Sequence, residues 1–442
     1  MSGAAKTAPG LIIAAPSSNS GKTLVTLALL RALHRVGTKI ASAKVGPDYI
    51  DPAFHSAASA RPCLNLDPWA MRPDTVNRHI QDLSRDAEVI LAEGVMGLFD
   101  GARDGSGSTA DLAALTGWPV VLVVDVKGQS ATAAAVVKGL ASLRTDIRVA
   151  GVLFNRVGSP AHAEMLNMAM QAHVPEVPVL GCLPRVSDLV MPERHLGLVQ
   201  AGENADLDAF LNKAADWVSE CVDLSGLTGL ASASSVAATS DDFSIPPLGQ
   251  RIAVARDEAY AFSYDGVLNG WRRAGAEVSF FSPLADQAPA AAADSVYLPG
   301  GYPELHAGKL AANTVFMRGL QGAAENGAFV FGECGGYMTL GQGLVDADGT
   351  RHEMAGLLPL ETSFEKRRLH LGYRRAISLC DTVLGASGLQ LRGHEFHYAT
   401  VAEEGDAPRL FQVTDAIGGK QEKIGLAVGR VAGSFLHLID RA

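Results

Sequence analysis

Short apolar runs recur along the first half of the chain, and the stretches between them repeat their apolar residues with the period of a helix. Thr23–Arg35 and Ala131–Leu143 both show this repeat of about 3.6 residues. The apolar runs have the length of buried strands, and alternation of such strands with helices is typical of a parallel sheet covered on both faces. Strands are therefore predicted at Leu11–Ala15, Lys39–Lys44, Glu88–Ala92, Pro119–Asp125, Val149–Phe154 and Pro178–Cys182.

The composition changes after residue 222. Residues 223–248 are rich in serine, alanine, threonine, glycine and proline, which is typical of a linker. We therefore predict two α/β domains, residues 1–222 and 249–442, joined by this linker. Strands of the second domain are predicted at Arg251–Ala255, Glu277–Phe281, Ser295–Leu298 and Ala328–Gly332, and later near Leu391–Tyr398 and Gln421–Ala427.

Composition narrows the possible functions. The chain has 442 residues, 48% of them hydrophobic and 19% charged, which is typical of a folded protein with more than one core. Its formal net charge of −10 disfavours non-specific attachment to nucleic acid or to an anionic membrane. Five scattered cysteines support neither a disulfide framework nor a CxxC metal site. With no apolar run long enough to span a bilayer and no signal peptide, we expect a cytoplasmic protein without nucleic-acid or membrane partners.

The segment between the first predicted strand and the first predicted helix has the chemistry of a phosphate-binding loop. Ser20 and Gly21 provide backbone N–H groups, Lys22 provides positive charge, and the Thr23 hydroxyl can reach Mg²⁺. Pro16 stands where the usual pattern has its first glycine. A strand before the loop and a helix after it favour nucleotide binding over a chance match.

Acidic residues follow the next strands at the same predicted edge of the sheet. Asp48 and Asp51 lie in a Gly/Pro-rich loop, and Glu93 and Asp100 follow the strand at Glu88–Ala92. Open α/β sheets hold ligands at this edge, and Mg²⁺ prefers carboxylate oxygens. Solvated turn residues and helix caps remain the alternatives. Asn155, after the fifth strand, is a candidate for contact with the adenine edge, and an ordinary turn residue is the alternative.

A second chemistry is indicated near the other end of the chain. Cys334 lies between glycines at a predicted strand-to-helix turn, which is typical of an exposed nucleophile, and a helix N-terminus there favours the thiolate. His437 is the candidate base. The backbone N–H groups of Gly301 and Gly335 are candidates for an oxyanion hole. A buried structural cysteine and a packed histidine remain the alternatives.

The second half resembles the class I glutamine amidotransferases in the order of its cysteine and histidine. Those enzymes usually carry His-x-Glu, whereas this chain reads His437-Leu438-Ile439. The acid that orients the histidine is therefore missing from its usual place. A Cys–His dyad, or help from another residue such as Glu395, are the alternatives.

Three long motifs in order resemble the cobyrinic acid and hydrogenobyrinic acid a,c-diamide synthase family, with further likeness around Leu371-Gly372-Tyr373-Arg374 and Gly393-His394-Glu395-Phe396-His397. The likeness implies an N-terminal P-loop domain similar to dethiobiotin synthetase and a C-terminal class I glutamine amidotransferase-like domain. It also implies a ligase that phosphorylates a carboxylate with ATP and amidates it with ammonia from L-glutamine. The motifs are Ala15-Pro16-Ser17-Ser18-Asn19-Ser20-Gly21-Lys22-Thr23, Lys44-Val45-Gly46-Pro47-Asp48-Tyr49-Ile50-Asp51-Pro52 and Glu93-Gly94-Val95-Met96-Gly97-Leu98-Phe99-Asp100-Gly101.

The resemblance implies a role for each matching residue. Lys22 and Thr23 would hold phosphates and Mg²⁺, Glu93 and Asp48 would bind the metal, and Cys334 would form a glutamyl thioester. Lys44 would offset charge on the transferred phosphoryl group, Asp48 and Asp51 would stabilise the phosphorylated intermediate, and Asp100 would govern substrate handling. The implied substrate is a corrin-type polycarboxylate, for which the basic runs at residues 366–368 and 374–375 are candidate contacts. A homodimer is also expected.

Several alternatives stay open at this point. Within the family, the substrate could be cobyrinic acid or metal-free hydrogenobyrinic acid, and the ending Phe435–Asp440 favours the metal-free ring. Related enzymes act on Ni-sirohydrochlorin, and cobyric acid synthases amidate more positions. A different class is a ParA-like ATPase switch fused to an inactive amidotransferase fold. The switch would hydrolyse ATP without needing glutamine or making an amide.

Overall fold

The computed structural model describes residues 7–189, 191, 193–194, 197–198, 201–203, 206–236 and 245–442. These residues divide into two compact units. The N-terminal unit contains the described residues of 7–69 and 73–236, and the C-terminal unit contains residues 70–72 and 245–442. Each unit has its own sheet and its own core.

The N-terminal unit is built on a sheet of seven parallel strands in the order β3-β2-β4-β1-β5-β6-β7. Every residue of β2 is buried, as expected for a strand covered on both faces. The strands are β1 Gly10–Ala14, β2 Ile40–Val45, β3 Leu64–Leu66, β4 Val89–Glu93, β5 Val120–Asp125, β6 Val149–Val157 and β7 Val179–Pro184, with a separate small ladder of β8 Glu193–Arg194 and β9 Gly197–Leu198.

Helices connect these strands and bury apolar faces on the sheet. The helix after β1 buries every residue from Val25 to Leu30, and the helix after β4 begins with a capping box between Ser108 and Asp111. The helices are α1 Lys22–Arg35, α2 Asp51–Ser59, α3 Pro73–Ser84, α4 Thr109–Thr116, α5 Thr132–Ser142, α6 Pro160–His173, α7 Leu207–Ser219 and α8 Leu224–Gly229, with a 3₁₀ turn at Ala201–Glu203.

Part of the segment predicted as a linker is folded. Residues 224–229 form α8, and Ser232 exchanges two backbone hydrogen bonds with Gly10 at the start of β1, at 2.8 and 3.0 Å. Ile245 and Leu248, at the other end of the segment, are buried in the core of the C-terminal unit. The stretch between them, residues 237–244, lies outside the described residues.

The C-terminal unit contains a mixed sheet in the order β11-β10-β12-β13-β22-β21-β20-β17-β18-β23. Its first five strands pair in parallel and the others pair antiparallel. A smaller sheet has the order β15-β14-β16-β19. The strands are β10 Arg251–Ala255, β11 Glu277–Phe281, β12 Ser295–Leu298, β13 Phe329–Glu333, β14 Gly343–Val345, β15 Arg351–Glu353, β16 Leu360–Ser363, β17 His370–Ser378, β18 Gln390–His397, β19 Thr400–Glu404, β20 Arg409–Asp415, β21 Glu422–Val428, β22 Val431–Ser434 and β23 Leu436–Arg441.

Four helices pack in the described part of this unit, and the last of them is a short helix that directly follows β13. The apolar side chains fall into two buried clusters, one centred on residues such as Tyr260 and Phe316 and the other on residues such as Trp271 and Phe411. The helices are α9 Asp265–Arg273, α10 Ala307–Ala312, α11 Thr314–Glu325 and α12 Gly335–Leu340, with 3₁₀ turns at Pro283–Ala285 and Pro303–His306.

The predicted α/β class is confirmed. Strands predicted in the N-terminal half correspond to β1, β2, β4, β5, β6 and β7, and the first four predicted in the other half correspond to β10 to β13. Over the part of the chain that the structure describes, every helix is too short or too polar to cross a membrane.

Candidate active sites

The loop between β1 and α1 has the conformation of a phosphate cradle. Asn19 and Gly21 both have positive φ, at 62° and 83°. A β-carbon added to Gly21 would lie 2.3 Å from Nδ2 of Asn155, so glycine is required there. Asn155 Nδ2 also donates a 2.9 Å hydrogen bond to the carbonyl of Ser20. Asn155 therefore braces the loop from β6, and its contact with adenine stays a prediction.

The two side chains that begin α1 are directed toward the strand ends. Lys22 is buried, and its Nζ donates to the carbonyl of Met96 at 3.3 Å. Burial lowers the pKa of Lys22, with Glu93 acting in the opposite direction. Thr23 Oγ1 donates a 2.6 Å hydrogen bond to Glu93 Oε1. The sheet order β2-β4-β1 explains these contacts, because it brings the carboxyl ends of adjacent strands to one edge.

Glu93, the last residue of β4, is fully buried among cations. Lys44 Nζ, from β2, donates to Glu93 Oε1 at 2.9 Å and also to Asp51. His55 Nε2 contacts Glu93 Oε2 at 2.7 Å. Burial opposes charge on Glu93, but Lys44 and His55 outweigh it and lower the pKa of the carboxyl group. Burial likewise opposes charge on Lys44, and its carboxylate neighbours raise the pKa of its ammonium group.

His55 is a site residue that the sequence analysis missed. It lies in α2, four positions after Asp51, so the two side chains share one face of the helix. That spacing was the available signal. Burial opposes the imidazolium, but Cys63 and Glu93 outweigh it and raise the pKa of His55 to about 10. His55 is therefore a buried cation paired with Glu93 near pH 7.

The two loop aspartates act differently. Asp48 Oδ1 accepts hydrogen bonds from the backbone N–H groups of Ile50 and Asp51, at 2.8 and 2.9 Å, and so fixes the chain before α2. Burial and the charge of Asp48 raise the pKa of Asp51 to about 6, although Lys44 opposes the shift. Their proposed roles toward a metal and an intermediate stay predictions.

Asp100 lies in the turn that follows β4. Its Oδ2 accepts a 2.9 Å hydrogen bond from the backbone N–H of Gly97. A β-carbon on Gly97 would lie 2.7 Å from the carbonyl oxygen of Pro16, so this turn packs directly against the phosphate loop. Asp100 itself is exposed, and its role in substrate handling stays a prediction.

Cys334 occupies a tight turn between β13 and α12. Its φ of 48° lies in the left-handed region, which is strained for a residue with a side chain. Neighbouring glycines make the turn possible, because a β-carbon on Gly336 would lie 2.0 Å from the carbonyl oxygen of Leu298. The predicted strand-to-helix turn at Cys334 is present, and the role of the thiol as a nucleophile stays a prediction. Cys334 is also a free thiol.

The helix N-terminus favours the thiolate through a hydrogen bond from the backbone N–H of Gly335, as expected, but other effects outweigh it. Cys334 is buried, and burial together with Glu304 raises the pKa of its thiol far above the ordinary range. A helix of six residues contributes little to offset that burial. The thiol is therefore neutral near pH 7, and it needs a base to become nucleophilic.

His437, in β23, lies beside that thiol. A β-carbon on Gly300 would lie 2.3 Å from Cε1 of His437, 3.1 Å from its Nε2 and 3.2 Å from Cβ of Cys334, so both side chains border the same glycine. A β-carbon on Gly335 would lie 3.0 Å from the backbone nitrogen of Gly301. The two predicted oxyanion-hole glycines are therefore adjacent, and Gly335 directly follows Cys334. The structure thus brings Gly301 and His437 close to Cys334 and Gly335, which are distant from them in the sequence.

Glu395 and the basic residues near it form a separate ionic group. Arg374 donates to Glu395 Oε2 at 2.7 Å, and His397 Nε2 contacts Glu395 Oε1 at 3.0 Å. These partners lower the pKa of Glu395 to about 2, against its burial. Arg374, a candidate substrate contact, is thus paired within the unit, whereas residues 366–368 are exposed.

Two protein families match the two halves of the chain. The description of the first is CobQ/CobB/MinD/ParA nucleotide binding domain, and it matches residues 11–199. The description of the second is CobB/CobQ-like glutamine amidotransferase domain, and it matches residues 251–441. The boundary between the two matches falls in the region where the two compact units separate.

Relatives match along the whole chain. A hydrogenobyrinate a,c-diamide synthase from a Sinorhizobium species is 55% identical over 98% of this chain and 99% of its own length. Proteins of the same name from Brucella anthropi and Rhodobacter capsulatus are each 53% identical, over 98% and 97% of this chain respectively and 98% of their own lengths. Among solved structures, PurLQS from Thermotoga maritima matches 42% of this chain and 86% of its own length at 19% identity, with a TM-score of 0.32.

Proposed function

Because the chain belongs to the hydrogenobyrinate a,c-diamide synthase family, we propose that it amidates the a and c acetate groups of hydrogenobyrinic acid with ATP and L-glutamine. The protein is a glutamine-dependent amidating enzyme of cobalamin biosynthesis. The observation that carries the proposal is the pairing of two sites in one chain. One is the phosphate loop, whose Thr23 hydroxyl is hydrogen-bonded to the buried carboxylate of Glu93. The other is the Cys334 thiol, which lies beside His437.

The N-terminal site suits a nucleotide with Mg²⁺. The Thr23 hydroxyl and the Glu93 carboxylate are 2.6 Å apart, and Asp48 lies in the loop after the neighbouring strand β2. Hard oxygen ligands of this kind are those that Mg²⁺ prefers. When bound, Mg²⁺ would neutralise charge on the phosphates of ATP. Thr23, Glu93 and Asp48 are therefore the proposed ligands.

The N-terminal site would activate the carboxylate. Backbone N–H groups of Ser20 and Gly21, with the Lys22 ammonium, would hold the phosphates while a substrate carboxylate oxygen attacks the γ-phosphorus and ADP leaves. Lys44 would offset the negative charge of the transferred group. Ammonia then attacks the acyl carbon, phosphate leaves with the C–O bond electrons, and an amide remains.

Three aspartates would support this step through the contacts described above. Asp51 holds the Lys44 ammonium, and Asp48 fixes the backbone before α2. We propose that, through these contacts, both residues stabilise the phosphorylated intermediate. Asp100 would control substrate handling by holding the turn at Gly97 against the phosphate loop.

The C-terminal site would release the ammonia. His437 would take the thiol proton of Cys334, and the sulfur would attack the side-chain amide carbon of glutamine. The N–H groups of Gly301 and Gly335 would stabilise the negative oxygen of the tetrahedral intermediate. The C–N bond breaks as His437 returns the proton to the departing ammonia. Water then hydrolyses the thioester to glutamate and restores the thiol.

Further parts of the proposal concern the surroundings of the enzyme. The substrate ring is proposed to be metal-free because the relatives are named for hydrogenobyrinate. A reducing cytoplasm would keep the Cys334 thiol free for catalysis. A homodimer is also proposed, on the family resemblance alone.

Mass spectrometry of the ring after incubation tests the proposal. Hydrogenobyrinic acid, cobyrinic acid and Ni-sirohydrochlorin would each be incubated with the protein, ATP, Mg²⁺ and glutamine. We expect two carboxylic acids of hydrogenobyrinic acid to become amides. ATP hydrolysis without any amide, from glutamine or from ammonia, would contradict the proposal and favour the ParA-like switch.

Two matched variants separate the chemistries. Cys334→Ser is expected to abolish the use of glutamine while retaining amidation with free ammonia. Asp48→Asn is expected to abolish amidation with either nitrogen donor while retaining glutamine hydrolysis. Loss of both activities in either variant would contradict the division of labour between the two units.

A further inference from the structure

The residue before the nucleophile, Glu333, carries a buried carboxyl group that is fixed at both oxygens. Tyr297 donates its hydroxyl hydrogen to Glu333 Oε2 at 2.7 Å, and the backbone N–H of Leu438 donates to Oε1 at 3.1 Å. Leu438 directly follows His437 in β23. The carboxyl group is therefore held against the strand that carries the candidate base, and apolar side chains such as Trp271 border the same space.

Glu333 faces the nitrogen of His437 that lies away from the thiol. The Cε1–Nε2 edge of the ring borders Gly300 and, through it, Cβ of Cys334. His437 Nδ1 lies 3.9 Å from Glu333 Oε2. This separation is longer than a hydrogen bond, but such contacts often shorten when substrate binds. A carboxylate on the Nδ1 side favours the tautomer with its proton on Nδ1. This tautomer leaves Nε2 free to accept a proton.

Glu395, the alternative acid, is committed elsewhere. Its oxygens contact Arg374 and His397. In the register between β18 and β23, His394 pairs with His437 and Glu395 pairs with Leu436. Adjacent residues of a strand point to opposite faces, so Glu395 projects away from the face that His437 occupies.

We propose that Glu333 is the positioning residue for His437, and that it supplies the acid that this chain lacks at the position two residues after the histidine. The inference rests on the proposed glutaminase roles of Cys334 and His437. When the thiol proton moves to Nε2, the ring becomes a cation with protons on both nitrogens. Glu333 would accept the Nδ1–H hydrogen bond and offset that charge until Nε2 returns its proton to the departing ammonia.

Burial disfavours the imidazolium form of His437, so a carboxylate beside the ring would assist proton transfer. Burial, with His394 and His397 on β18, lowers the pKa of His437 to about 3, and Glu395 opposes the shift only in part. Burial also raises the pKa of Glu333 to about 7, against the hydrogen bonds from Tyr297 and Leu438. The carboxylate form is therefore lost as pH falls through about 7.

Glu333→Gln, which keeps the shape of the side chain, is the direct test. We expect the glutaminase kcat to fall about 100- to 10,000-fold, as for loss of a general base or of the acid that orients one. KM for glutamine and amidation with free ammonia should stay near the wild-type values. The wild-type glutaminase rate should fall below about pH 7 with the Glu333 carboxylate, and the variant should lack this acid limb. A purely structural role would not produce that change in the pH profile.

Two further variants keep the inference falsifiable if Glu333→Gln folds poorly. Tyr297→Phe removes a hydrogen bond that stabilises the Glu333 carboxylate, so the acid limb should move to higher pH. Glu395→Gln should keep the acid limb near pH 7 and should lose far less glutaminase kcat than Glu333→Gln. An unchanged profile in Tyr297→Phe, or loss of kcat in Glu395→Gln with Glu333→Gln fully active, would overturn the inference. A wild-type protein that hydrolyses no glutamine would instead refute the proposed function itself, and this inference with it.

Discussion

A β-carbon on Gly300 would lie 2.3 Å from Cε1 of His437, well inside van der Waals contact. Gly300→Ala should therefore displace the buried imidazole from Cys334. A displacement of about 1 Å at a reacting group can cost about 100-fold in rate, and we expect at least that loss in glutamine hydrolysis. Amidation with free ammonia should persist, because Gly300 lies in the C-terminal unit. Steady-state assays with each nitrogen donor would measure both effects.

Gly322→Ala is the matched control for that substitution. Gly322 lies in α11, and a β-carbon there would meet no heavy atom within 4 Å. Alanine should be neutral or stabilise the helix by about 0.5–1 kcal/mol. Full glutaminase activity in Gly300→Ala would show that the imidazole does not need its present position.

Gly21→Ala should disable the phosphate loop. The residue has a φ of 83°, and its β-carbon would lie 2.3 Å from Asn155 Nδ2. ATP binding and amidation with ammonia should both be lost, while glutamine hydrolysis continues. Gly37→Ala is the control, because Gly37 has a similar φ of 88° but open space around it. Equal ATP affinity of the two variants in calorimetry would show that the close approach of Asn155 to Gly21 is not required for ATP binding.

Much of the N-terminal site was predictable because its residues lie at the ends of strands with strong apolar runs. Such runs mark a buried parallel strand, and strand ends in one sheet meet at one edge. Glu93, at the end of β4, followed from this reasoning. His55 did not, because a histidine in a helix shows its partner only after α2 has been placed against β4.

The C-terminal unit was predicted less completely. Strand β17, His370–Ser378, contains Arg374 and Arg375 and is mostly solvent-accessible on both faces, so it has no apolar run to detect. The strands predicted near Leu391–Tyr398 and Gln421–Ala427 correspond to β18 and β21, whereas β17, β20 and β22 escaped prediction. Glu333 escaped as well, because its relation to His437 depends on the pairing of β13 with β22 and on the return of the chain through β23. Glu333 and His437 are far apart in the sequence, so their proximity is seen only in the folded structure.

Asn155→Ala distinguishes two roles for this residue. Asn155 Nδ2 donates to the carbonyl of Ser20, so the side chain braces the phosphate loop. If bracing is its main role, the variant should bind ATP and GTP more weakly by a similar factor, about tenfold for one lost hydrogen bond near 1.4 kcal/mol. Competition binding with both nucleotides measures this. A selective loss of ATP over GTP would instead support the predicted contact with adenine.

His55→Ala should destabilise the N-terminal unit by about 3–5 kcal/mol, because removal of one partner from a buried ion pair leaves Glu93 with less compensation. The pKa of His55 is raised from 6.5 to about 10 in the folded protein. Its stabilisation is therefore complete below about pH 6.5 and is lost as pH rises toward 10. The difference in unfolding free energy between wild type and variant should shrink over that interval.

Trp69, Trp118 and Trp217 lie in the N-terminal unit, so urea unfolding followed by tryptophan fluorescence reports on the unfolding of this unit. The exposed His34, replaced by alanine, is the control, and a pH-independent difference for His55→Ala would show that the imidazole is neutral in the folded protein.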